Sequence, residues 1–244
     1  MKLKNEFWAF IPARSGSKSI KNKNLKKLNN RPLLAYSIIS AKKSSHIKKI
    51  IFSSDSELYA KVASKYGKFF FHKRKKKISK DNSNDLDIFK DFIRDFNSKN
   101  ILLPKYFIHL RPTTPIRSNK TINEAVKYFK KHSKRYSSLR SVSEMSETSY
   151  KSYRIVNKKL CAITKRDFDL DKYNKPKHNY AKTYEANGII DIYKTENILK
   201  NTLLGNKVLP FKTKEFNSYI DNNKDFLLVE SFIKLKKIKF NSKN

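Results

Sequence analysis

Hydrophobic residues form two alternating patterns along the chain, short apolar runs typical of buried strands and longer stretches with helical spacing. The runs that predict strands lie at residues 7–11, 50–52, 69–71, 106–110 and 189–193. Between and after these runs, apolar residues return every three or four positions, which predicts helices that pack one face on a sheet. The helical stretches lie at residues 33–41, 58–63, 85–96, 122–129 and 224–236. Because strands and helices alternate, the sequence predicts an α/β fold with a mostly parallel sheet and right-handed crossovers.

The alternation breaks between residues 143 and 184, where short mixed segments carry many polar residues. This pattern indicates an insertion, either a β-rich flap or a dimerisation arm. A chain of 244 residues can bury one main core, so we expect a single domain over residues 1–244 that contains the insertion. Ligands of such sheets collect at the carboxyl ends of the strands, so the candidate residues should follow the strands.

The formal net charge of +35 predicts, taken alone, attraction to phosphate-rich partners such as nucleic acid, anionic membranes or nucleotides. Lysines occur in nearly every segment, however, and only residues 73–77 form a concentrated basic run. A charge run usually marks a solvated face. The sequence also has no stacking-aromatic or groove-helix motif for nucleic acid. We therefore expect no specific nucleic-acid partner.

The location of the protein is predicted from its apolar stretches. None approaches the roughly 20 residues that span a bilayer, and charged residues interrupt the N-terminal one, which is not typical of a signal peptide. We expect a cytoplasmic protein with no membrane partner. The single cysteine, Cys161, excludes an internal disulfide and a thiolate metal cluster. Its apolar neighbours favour a small buried side chain over a nucleophile.

A loop of small residues and cations follows the first predicted strand. It contains Gly16, one of four glycines in the chain, and glycine lets the backbone approach a bulky anion and tolerates positive φ. Serines and main-chain amides can point at phosphate oxygens, while arginine and lysine supply charge. The loop provides Arg14, Ser15, Ser17, Lys18 and Lys23. This combination suits a triphosphate, and an ordinary polar turn is the alternative. The spacing matches neither a P-loop nor the dinucleotide fingerprint.

Four motifs, in order over most of residues 5–235, resemble those of the cytidylyltransferases that activate sialic acid and related acidic sugars. That family opens with I-P-A-R-G-G-S-K-G-I-x-x-K-N, which is similar to IPARSGSKSIKNKN at residues 11–24. Its second motif, L-Q-P-T-S-P-L-R, is similar to LRPTTPIR at residues 110–117. The third, N-G-x-I-Y-I, is similar to NGIIDI at residues 187–192, and the fourth, D-I-D-x-x-x-D, to YIDNNKD at residues 219–225. The family includes enzymes that make CMP-linked N-acylneuraminate, legionaminate, pseudaminate and KDO.

The resemblance implies a Rossmann-like nucleotide-diphospho-sugar transferase sheet flanked by helices, with a small inserted dimerisation segment. It implies a reaction in which the anomeric hydroxyl of a 2-keto sugar acid attacks the α-phosphate of CTP and expels pyrophosphate, with Mg²⁺ as the usual counter-ion. The expected partners are CTP, a small acidic sugar and a second copy of the chain, since relatives are commonly dimers. The family often places an arginine seven residues before an aspartate, and Arg74 and Asp81 keep that interval.

The roles of individual residues follow from the resemblance position by position. Residues expected to hold the nucleotide are Arg14, Ser15, Gly16, Ser17, Lys18, Lys23, Asn24, Arg74 and Ser83. Residues expected to line the sugar pocket are Arg111, Pro112, Thr113, Thr114 and Asn187. Asp221 is the expected Mg²⁺ ligand, and Arg14, Lys23 and Asp221 are the expected catalytic residues.

Three differences from the motifs involve four positions. Tyr219 stands where the family has the first aspartate of a metal pair, but Mg²⁺ can be held by one or two carboxylates plus phosphate oxygens and water. Arg111 replaces a glutamine, which either tightens binding of a carboxylate-bearing sugar or marks a different substrate. Ser15 and Ser19 replace two loop glycines. Tyr219 leaves an alternative function open, a catalytically weakened or inactive nucleotide- or sugar-binding homologue on the same fold.

Several polar residues also have plainer structural interpretations. Asp55 or a neighbouring serine is expected to cap the second helix, and Asp225 to cap or start the last one. His109 alternates with apolar neighbours, which predicts a packed ring rather than a catalytic one. His72 and His178 have no partner that the sequence reveals.

Overall fold

The computed structural model describes residues 2–80 and 83–236. The strands are β1 (Lys4–Pro12), β2 (Lys27–Leu28), β3 (Arg31–Pro32), β4 (Ile47–Ser54), β5 (Phe70–Lys73), β6 (Pro104–His109), β7 (Ser138–Glu144), β8 (Tyr153–Val156), β9 (Lys159–Ala162), β10 (Tyr184–Lys194) and β11 (Val208–Lys212). The α-helices are α1 (Leu33–Lys42), α2 (Glu57–Ser64), α3 (Asp85–Ser98), α4 (Asn119–His132), α5 (Thr195–Leu199) and α6 (Asn223–Leu235). Each predicted strand and helix is therefore present.

Seven strands form one sheet in the order β11-β7-β10-β6-β1-β4-β5. β1 pairs in parallel with β4 and β6, and β4 pairs in parallel with β5, which confirms the mostly parallel α/β prediction. β10 is an exception, because it runs antiparallel to β6. Since β1, β4 and β6 are parallel, the segments that follow them emerge at the same edge of the sheet. These segments are the opening loop, residues 55–56 and the second motif.

The two faces of the sheet are covered by different helices, as the alternation of side chains along β1 shows. Phe7, Ala9 and Ile11 belong to a core cluster with residues of α1, α2 and α4. Trp8 and Phe10 belong to a second cluster with residues of α3 and α5. Successive side chains of a strand point to opposite faces, and a strand covered on both faces is apolar throughout. This explains why the first apolar run is continuous.

A third apolar cluster brings the C-terminal segment to the opening loop. Ile20 from that loop, Ile116 from the second motif and Ile220 share this cluster with Phe226 and other residues of α6. The main-chain N–H of Ile220 also donates to Thr113 O over 2.8 Å. Segments that lie about 200 residues apart in the chain are therefore neighbours in the fold.

The chain divides into two compact units, residues 1–141 with 187–244, and residues 142–186. The second unit contains the segment predicted as an insertion. It holds the antiparallel β8-β9 hairpin, in which Ile155 faces Leu160, and Cys161 is buried as predicted. Within residues 2–80 and 83–236, no helix is both long and apolar enough to cross a bilayer.

Candidate active site

Asp55 fixes the start of the opening loop. Its Oδ1 accepts a hydrogen bond from Ser15 N over 2.8 Å, and its Oδ2 accepts one from the Ser15 hydroxyl over 2.7 Å. The cap of α2 is the neighbouring Ser56, whose side chain accepts from Tyr59 N. Of the two capping candidates in the sequence, the serine is therefore correct, and Asp55 holds the loop that follows β1.

Gly16 does not have the positive φ for which the sequence offered glycine as an explanation. Gly188 and Gly205 are the glycines with positive φ in the described part of the chain. A Cβ added to Gly16 would meet no other atom within 4 Å, whereas one added to Gly188 would lie 2.9 Å from Thr114 Oγ1. The fold itself therefore requires glycine at position 188 but not at position 16, whose assignment to the nucleotide stays a prediction.

Lys23 joins the opening loop to the C-terminal segment. Its Nζ donates to Asp221 O over 2.8 Å and to Asp221 Oδ1 over 2.9 Å, and it lies 3.4 Å from Ile220 O. The Ser19 hydroxyl donates to the same Asp221 carbonyl over 2.5 Å. The Lys23 side chain is 8% exposed and that of Asp221 is 62% exposed. The position of the Lys23 ammonium group is thus fixed by Asp221, whose carboxylate is exposed to solvent.

The fold also fixes the segment that follows Asp221. Asn222 caps α6, and its side chain and that of Asp225 form a reciprocal capping box. Asp225 Oδ2 accepts from Asp221 N over 2.8 Å and from Asn222 N over 3.0 Å. The predicted helix-starting role of Asp225 is confirmed, and this contact orients the main chain of Asp221.

Arg74 and Asn24 lie against the same edge of the sheet. Arg74 Nη2 donates to Ser53 O over 3.1 Å and its Nε to the Ser53 hydroxyl over 3.4 Å. Burial lowers the pKa of Arg74 to about 10, so the guanidinium stays charged at neutral pH. Asn24 Nδ2 donates to Arg14 O over 2.9 Å, which supports the opening loop from inside.

Arg111 lies in a network of charged side chains that the sequence did not predict. Its Nη1 donates to Asp191 Oδ2 over 2.8 Å and its Nη2 to Asp85 Oδ2 over 3.0 Å. Arg140 donates to both oxygens of Asp191, over 3.1 and 3.2 Å. The Tyr193 hydroxyl also donates to Asp191 Oδ2, over 2.9 Å. The charge of Arg111 is therefore balanced by two carboxylates before any ligand binds.

The pKa values in this network follow from the pairing. Burial alone would raise the pKa of Asp191, but Arg111 and Arg140 hold it below its usual value. The pKa of Asp85 is likewise lowered, because His109 and Arg111 outweigh the effect of burial. Burial lowers the pKa of His109 to about 3. Both carboxylates are thus ionised at neutral pH, and the His109 ring is neutral and packed, as the sequence predicted.

Arg117 holds the second motif in place through oxygen acceptors. Its Nε donates to Ile189 O over 2.7 Å, its Nη1 to the Ser37 hydroxyl over 2.8 Å and its Nη2 to Arg111 O over 3.0 Å. Burial lowers the pKa of Arg117 to about 9. Three of the described contacts of its guanidinium, to the carbonyls of Ile189, Arg111 and Gly188, fix backbone rather than carboxylates, so Arg117 shapes the loop between β6 and α4.

These groups line one cleft of about 290 Å³. The predicted site residues that line it are Arg14, Ser17, Lys23, Asn24, Arg74, Ser83, Arg111, Pro112, Thr113 and Asp221. The predicted site residues that are not part of its lining are Ser15, Gly16, Lys18, Thr114 and Asn187. Asp81 lies outside the described residues. The structure therefore brings two thirds of the predicted set to one place, and the roles of these residues stay predictions.

The residues outside the lining have structural contacts that explain their position. Asn187 Oδ1 accepts from the Ser141 hydroxyl over 2.7 Å, and its Nδ2 donates to Thr213 Oγ1 over 2.7 Å. Asn187 is 1% exposed and Thr114 is fully buried. Both side chains therefore lie outside the lining of this cleft, and their assignment to the sugar pocket stays a prediction.

Five further residues line the cleft beside the predicted set, namely Pro12, Lys80, Asp85, Ile88 and Tyr219. Asp85 opens α3, directly after its cap Asn84, so its sequence signal was that of a helix start. Lys80 had no distinguishing signal in a lysine-rich chain. Asp191 stands where the third motif has a tyrosine, and this departure was the signal that could have identified it.

A metal ion would find one carboxylate of the fourth motif here, that of Asp221. Within residues 2–80 and 83–236, no group of three or more His, Cys, Asp or Glu side chains is arranged to hold a metal. Mg²⁺ keeps several waters and is commonly held by one or two carboxylates plus substrate phosphates. The donor set therefore fits a metal that arrives with a nucleotide, and not a site made of protein ligands alone.

A family model described as "Cytidylyltransferase" matches residues 8–240. The post-translational flagellin modification protein B of Campylobacter coli is 29% identical over 238 residues, which cover 96% of this chain and 97% of that protein. The N-acylneuraminate cytidylyltransferase of Escherichia coli O18:K1:H7 is 32% identical over 93% of this chain and 52% of that protein. The chain spans about half the length of this second relative.

Solved structures add a likeness of fold. A CMP:2-keto-3-deoxy-manno-octonic acid synthetase complexed with CTP has a TM-score of 0.69, with coverage of 95% of this chain and 99% of that one. The sequences are 12% identical, so this likeness concerns the fold. A cytidylyltransferase from Leptospira borgpetersenii has a TM-score of 0.60 at 13% identity. The predicted nucleotidyltransferase architecture is confirmed by these neighbours.

Proposed function

This chain belongs to the cytidylyltransferase family, and we propose that it transfers CMP from CTP to an acidic 2-keto sugar and releases pyrophosphate. The acceptor class is a sialic, legionaminic, pseudaminic or KDO-like acid. Relatives named for N-acylneuraminate, N,N'-diacetyllegionaminic acid and pseudaminic acid support this class. The Campylobacter coli relative is named for flagellin modification, which is compatible with a sugar that reaches a surface structure.

The observation that carries the proposal is the convergence of both ends of the chain on one cleft. Arg14 and Lys23 from the opening loop and Asp221 from the C-terminal segment all line it. Lys23 Nζ and Asp221 Oδ1 are 2.9 Å apart. A triphosphate in this cleft would meet fixed cations on one side and a solvent-facing carboxylate on the other, the arrangement that phosphoryl transfer needs.

The residues of the chain act in this reaction by positioning and by charge. The anomeric hydroxyl oxygen forms a bond to the α-phosphorus, the bond from that phosphorus to the bridging oxygen breaks, and pyrophosphate and the hydroxyl proton leave. Arg14, Lys23 and Arg74 lie in the cleft lining where they would neutralise the phosphates. Arg111 would face the sugar from the other end. Its guanidinium is oriented by Asp85 and Asp191, so it would recognise the sugar by directed N–H groups rather than by net charge.

Mg²⁺ is the proposed counter-ion, and Asp221 is the residue that would hold it together with phosphate oxygens. When bound, the ion would neutralise charge that develops on the leaving pyrophosphate. Lys23 would remain beside it, since Asp221 uses its main-chain oxygen as well as Oδ1 to hold the lysine.

The proposed function is tested by incubating the purified protein with CTP, Mg²⁺ and a panel of sialic, legionaminic, pseudaminic and KDO acids. We expect pyrophosphate release with CTP and one class of sugar, and a CMP-sugar of matching mass by mass spectrometry. ATP, GTP and UTP serve as controls for the base. Pyrophosphate release from none of these combinations would contradict the proposal.

A second candidate function is a weakened or inactive homologue that binds nucleotide on the same fold, and Tyr219 is the observation that favours it. Tyr219 lines the cleft and is 49% exposed, where the fourth motif has a metal-binding carboxylate. In the same assay we include Tyr219→Asp. A wild-type protein that binds CTP without turnover, with turnover restored by Tyr219→Asp, would support this candidate. Substantial wild-type turnover would contradict it.

We also infer that the second unit mediates homodimer formation. Its hairpin places Ile155 opposite Leu160 on one face, and these side chains are 77% and 48% exposed. Ile155→Asp should therefore convert a dimer into a chain of 28.8 kDa by light scattering. Leu58→Asp is the matched control, since Leu58 is 59% exposed on α2 in the other unit. A monomeric wild-type protein would contradict the inference.

A further inference from the structure

Arg74 follows β5 and lines the cleft, and among the residues that the structure describes Ser53 accepts the hydrogen bonds of its guanidinium. Its Nη2 donates to the Ser53 carbonyl over 3.1 Å and its Nε to the Ser53 hydroxyl over 3.4 Å. Arg74 is 5% exposed. The guanidinium of such a long side chain keeps a single orientation when the groups that it bonds to are themselves fixed. The orientation of Arg74 therefore depends on what holds the Ser53 hydroxyl.

The Ser53 hydroxyl is held by His72. The two residues are direct partners across β4 and β5, and His72 Nδ1 lies 3.0 Å from Ser53 Oγ. On its other side the ring faces Asp91, with Nε2 3.3 Å from Asp91 Oδ2. This second contact is an ion-pair distance, and within residues 2–80 and 83–236 Nε2 has no hydrogen-bond partner. His72 is 1% exposed.

The geometry around His72 favours one placement of its hydrogen. Arg74 Nε must donate, so the Ser53 oxygen accepts there. In a neutral ring the nitrogen that faces a carboxylate carries the hydrogen, which places it on Nε2 beside Asp91 and leaves Nδ1 to accept from the Ser53 hydroxyl. Burial lowers the pKa of His72, against the opposing effect of Asp91, and favours the neutral ring. Lys75 and Arg94 each lie 3.6 Å from Asp91 Oδ1 and fix that carboxylate in turn.

Packing alone does not require a histidine at this position. The ring makes an edge contact with Phe92 at a centroid distance of 5.5 Å, and a phenylalanine would make the same contact. A buried polar ring is unfavourable unless its nitrogens have partners. What histidine adds is an acceptor for Ser53 and a dipole toward Asp91.

We propose that His72 is a positioning residue for nucleotide binding, which acts through Ser53 to aim Arg74 into the cleft. This inference rests on the proposed function, because it assigns Arg74 to CTP. Asp91 fixes His72, His72 orients the Ser53 hydroxyl, and that hydroxyl fixes the Nε edge of Arg74. The opposite edge of the guanidinium is left for the ligand.

The test compares His72→Phe with His72→Asn by calorimetric titration of CTP in the presence of Mg²⁺. His72→Phe keeps the aromatic packing and removes the acceptor. It should raise the dissociation constant for CTP by about two- to tenfold, the effect of one lost hydrogen bond. His72→Asn should restore most of the affinity, since its amide oxygen takes the place of Nδ1. The KM for the sugar should not change. Heteronuclear NMR of the free protein should show the His72 ring with its hydrogen on Nε2.

Serine variants provide the matched control and keep the test valid if His72→Phe fails to fold. Ser53→Ala should weaken CTP binding as much as His72→Phe does, and the double variant should be no weaker than either single one. Ser44→Ala removes another buried hydroxyl. That hydroxyl donates over 2.6 Å to Oδ1 of Asn123, a residue far along the chain. It should leave the affinity for CTP unchanged.

Specific outcomes would overturn the proposal. A His72→Phe or Ser53→Ala protein with wild-type affinity for CTP would do so, as would an equal loss of affinity for CTP and for the sugar. Arg74→Ala separates this proposal from the proposed function. If Arg74→Ala binds CTP as the wild type does, the positioning role is wrong while CMP transfer stands. If the wild-type protein itself does not bind CTP, both are wrong.

Discussion

Replacing Asp191 with asparagine should lower the free energy of unfolding by about 3–5 kcal/mol, the usual cost of breaking a buried ion pair by removing one partner. The Asp191 side chain is 2% exposed and faces both Arg111 and Arg140. An amide in its place would leave Arg140 without a compensating charge and Arg111 with Asp85 alone. Urea unfolding followed by circular dichroism at neutral pH measures this change.

The control for this prediction is Asp95→Asn, which removes a carboxylate that pairs with Lys99 over 2.9 Å at the surface. Such exposed pairs contribute at most about 1 kcal/mol, so the control should unfold nearly as the wild type does. The double variant Arg111→Gln, Asp191→Tyr replaces the two motif departures together. It should be no more stable than Asp191→Asn, because Arg140 still lacks Asp191 and Asp85 also loses Arg111. Equal losses for Asp191→Asn and Asp95→Asn would contradict the importance of the network.

The element pattern was predictable because apolar spacing reports which residues face the core. The limits of the elements were less predictable. β1 begins at Lys4, three residues before the apolar run, because Lys4, Asn5 and Glu6 continue the strand with exposed or half-exposed side chains. Such residues pair through the backbone and carry no hydrophobic signal. The antiparallel course of β10 was likewise not visible, since strand direction depends on how the chain returns from residues 142–186 and not on side-chain pattern.

The candidate site was predictable where motifs carry it and unpredictable where contacts cross the fold. The opening loop, the second motif and Asp221 were found by motif, and Asp221 and residues of both segments line the cleft. Asp191 and Arg111 lie 80 residues apart in the chain, so nothing local indicated that they pair. Ser15 was assigned to the nucleotide, but its two donors bind Asp55, which had looked like a helix cap. Local sequence identifies donors, and the fold decides which acceptors they meet.

Lys23→Met should reduce kcat/KM for CMP transfer by about 10²–10³-fold. This loss is typical when one fixed hydrogen-bond donor that stabilises the charge developing in the transition state is removed. Methionine keeps the apolar stem of the side chain, which is largely buried, and removes the ammonium group. The loss should appear mainly in kcat, because charge on the leaving pyrophosphate is larger in the transition state than in bound CTP. Steady-state kinetics with pyrophosphate detection measures it.

Two comparisons separate loss of the charge on Lys23 from loss of structure. Lys21→Met removes an exposed lysine two residues earlier in the same loop, and it should keep nearly full activity. Lys23 also holds Asp221 O and Asp221 Oδ1, so Lys23→Met could act by releasing the C-terminal segment. In that case Lys23→Met would lower both kcat and the melting temperature. Asp221→Asn, which keeps the carbonyl contact with Lys23, would then leave kcat nearly unchanged.

We expect instead that both variants lose most of their kcat and keep melting temperatures near that of the wild type, because the lysine charge and the carboxylate both face the phosphates. Equal activity of Lys23→Met and Lys21→Met would contradict the assignment of Lys23 to the reaction.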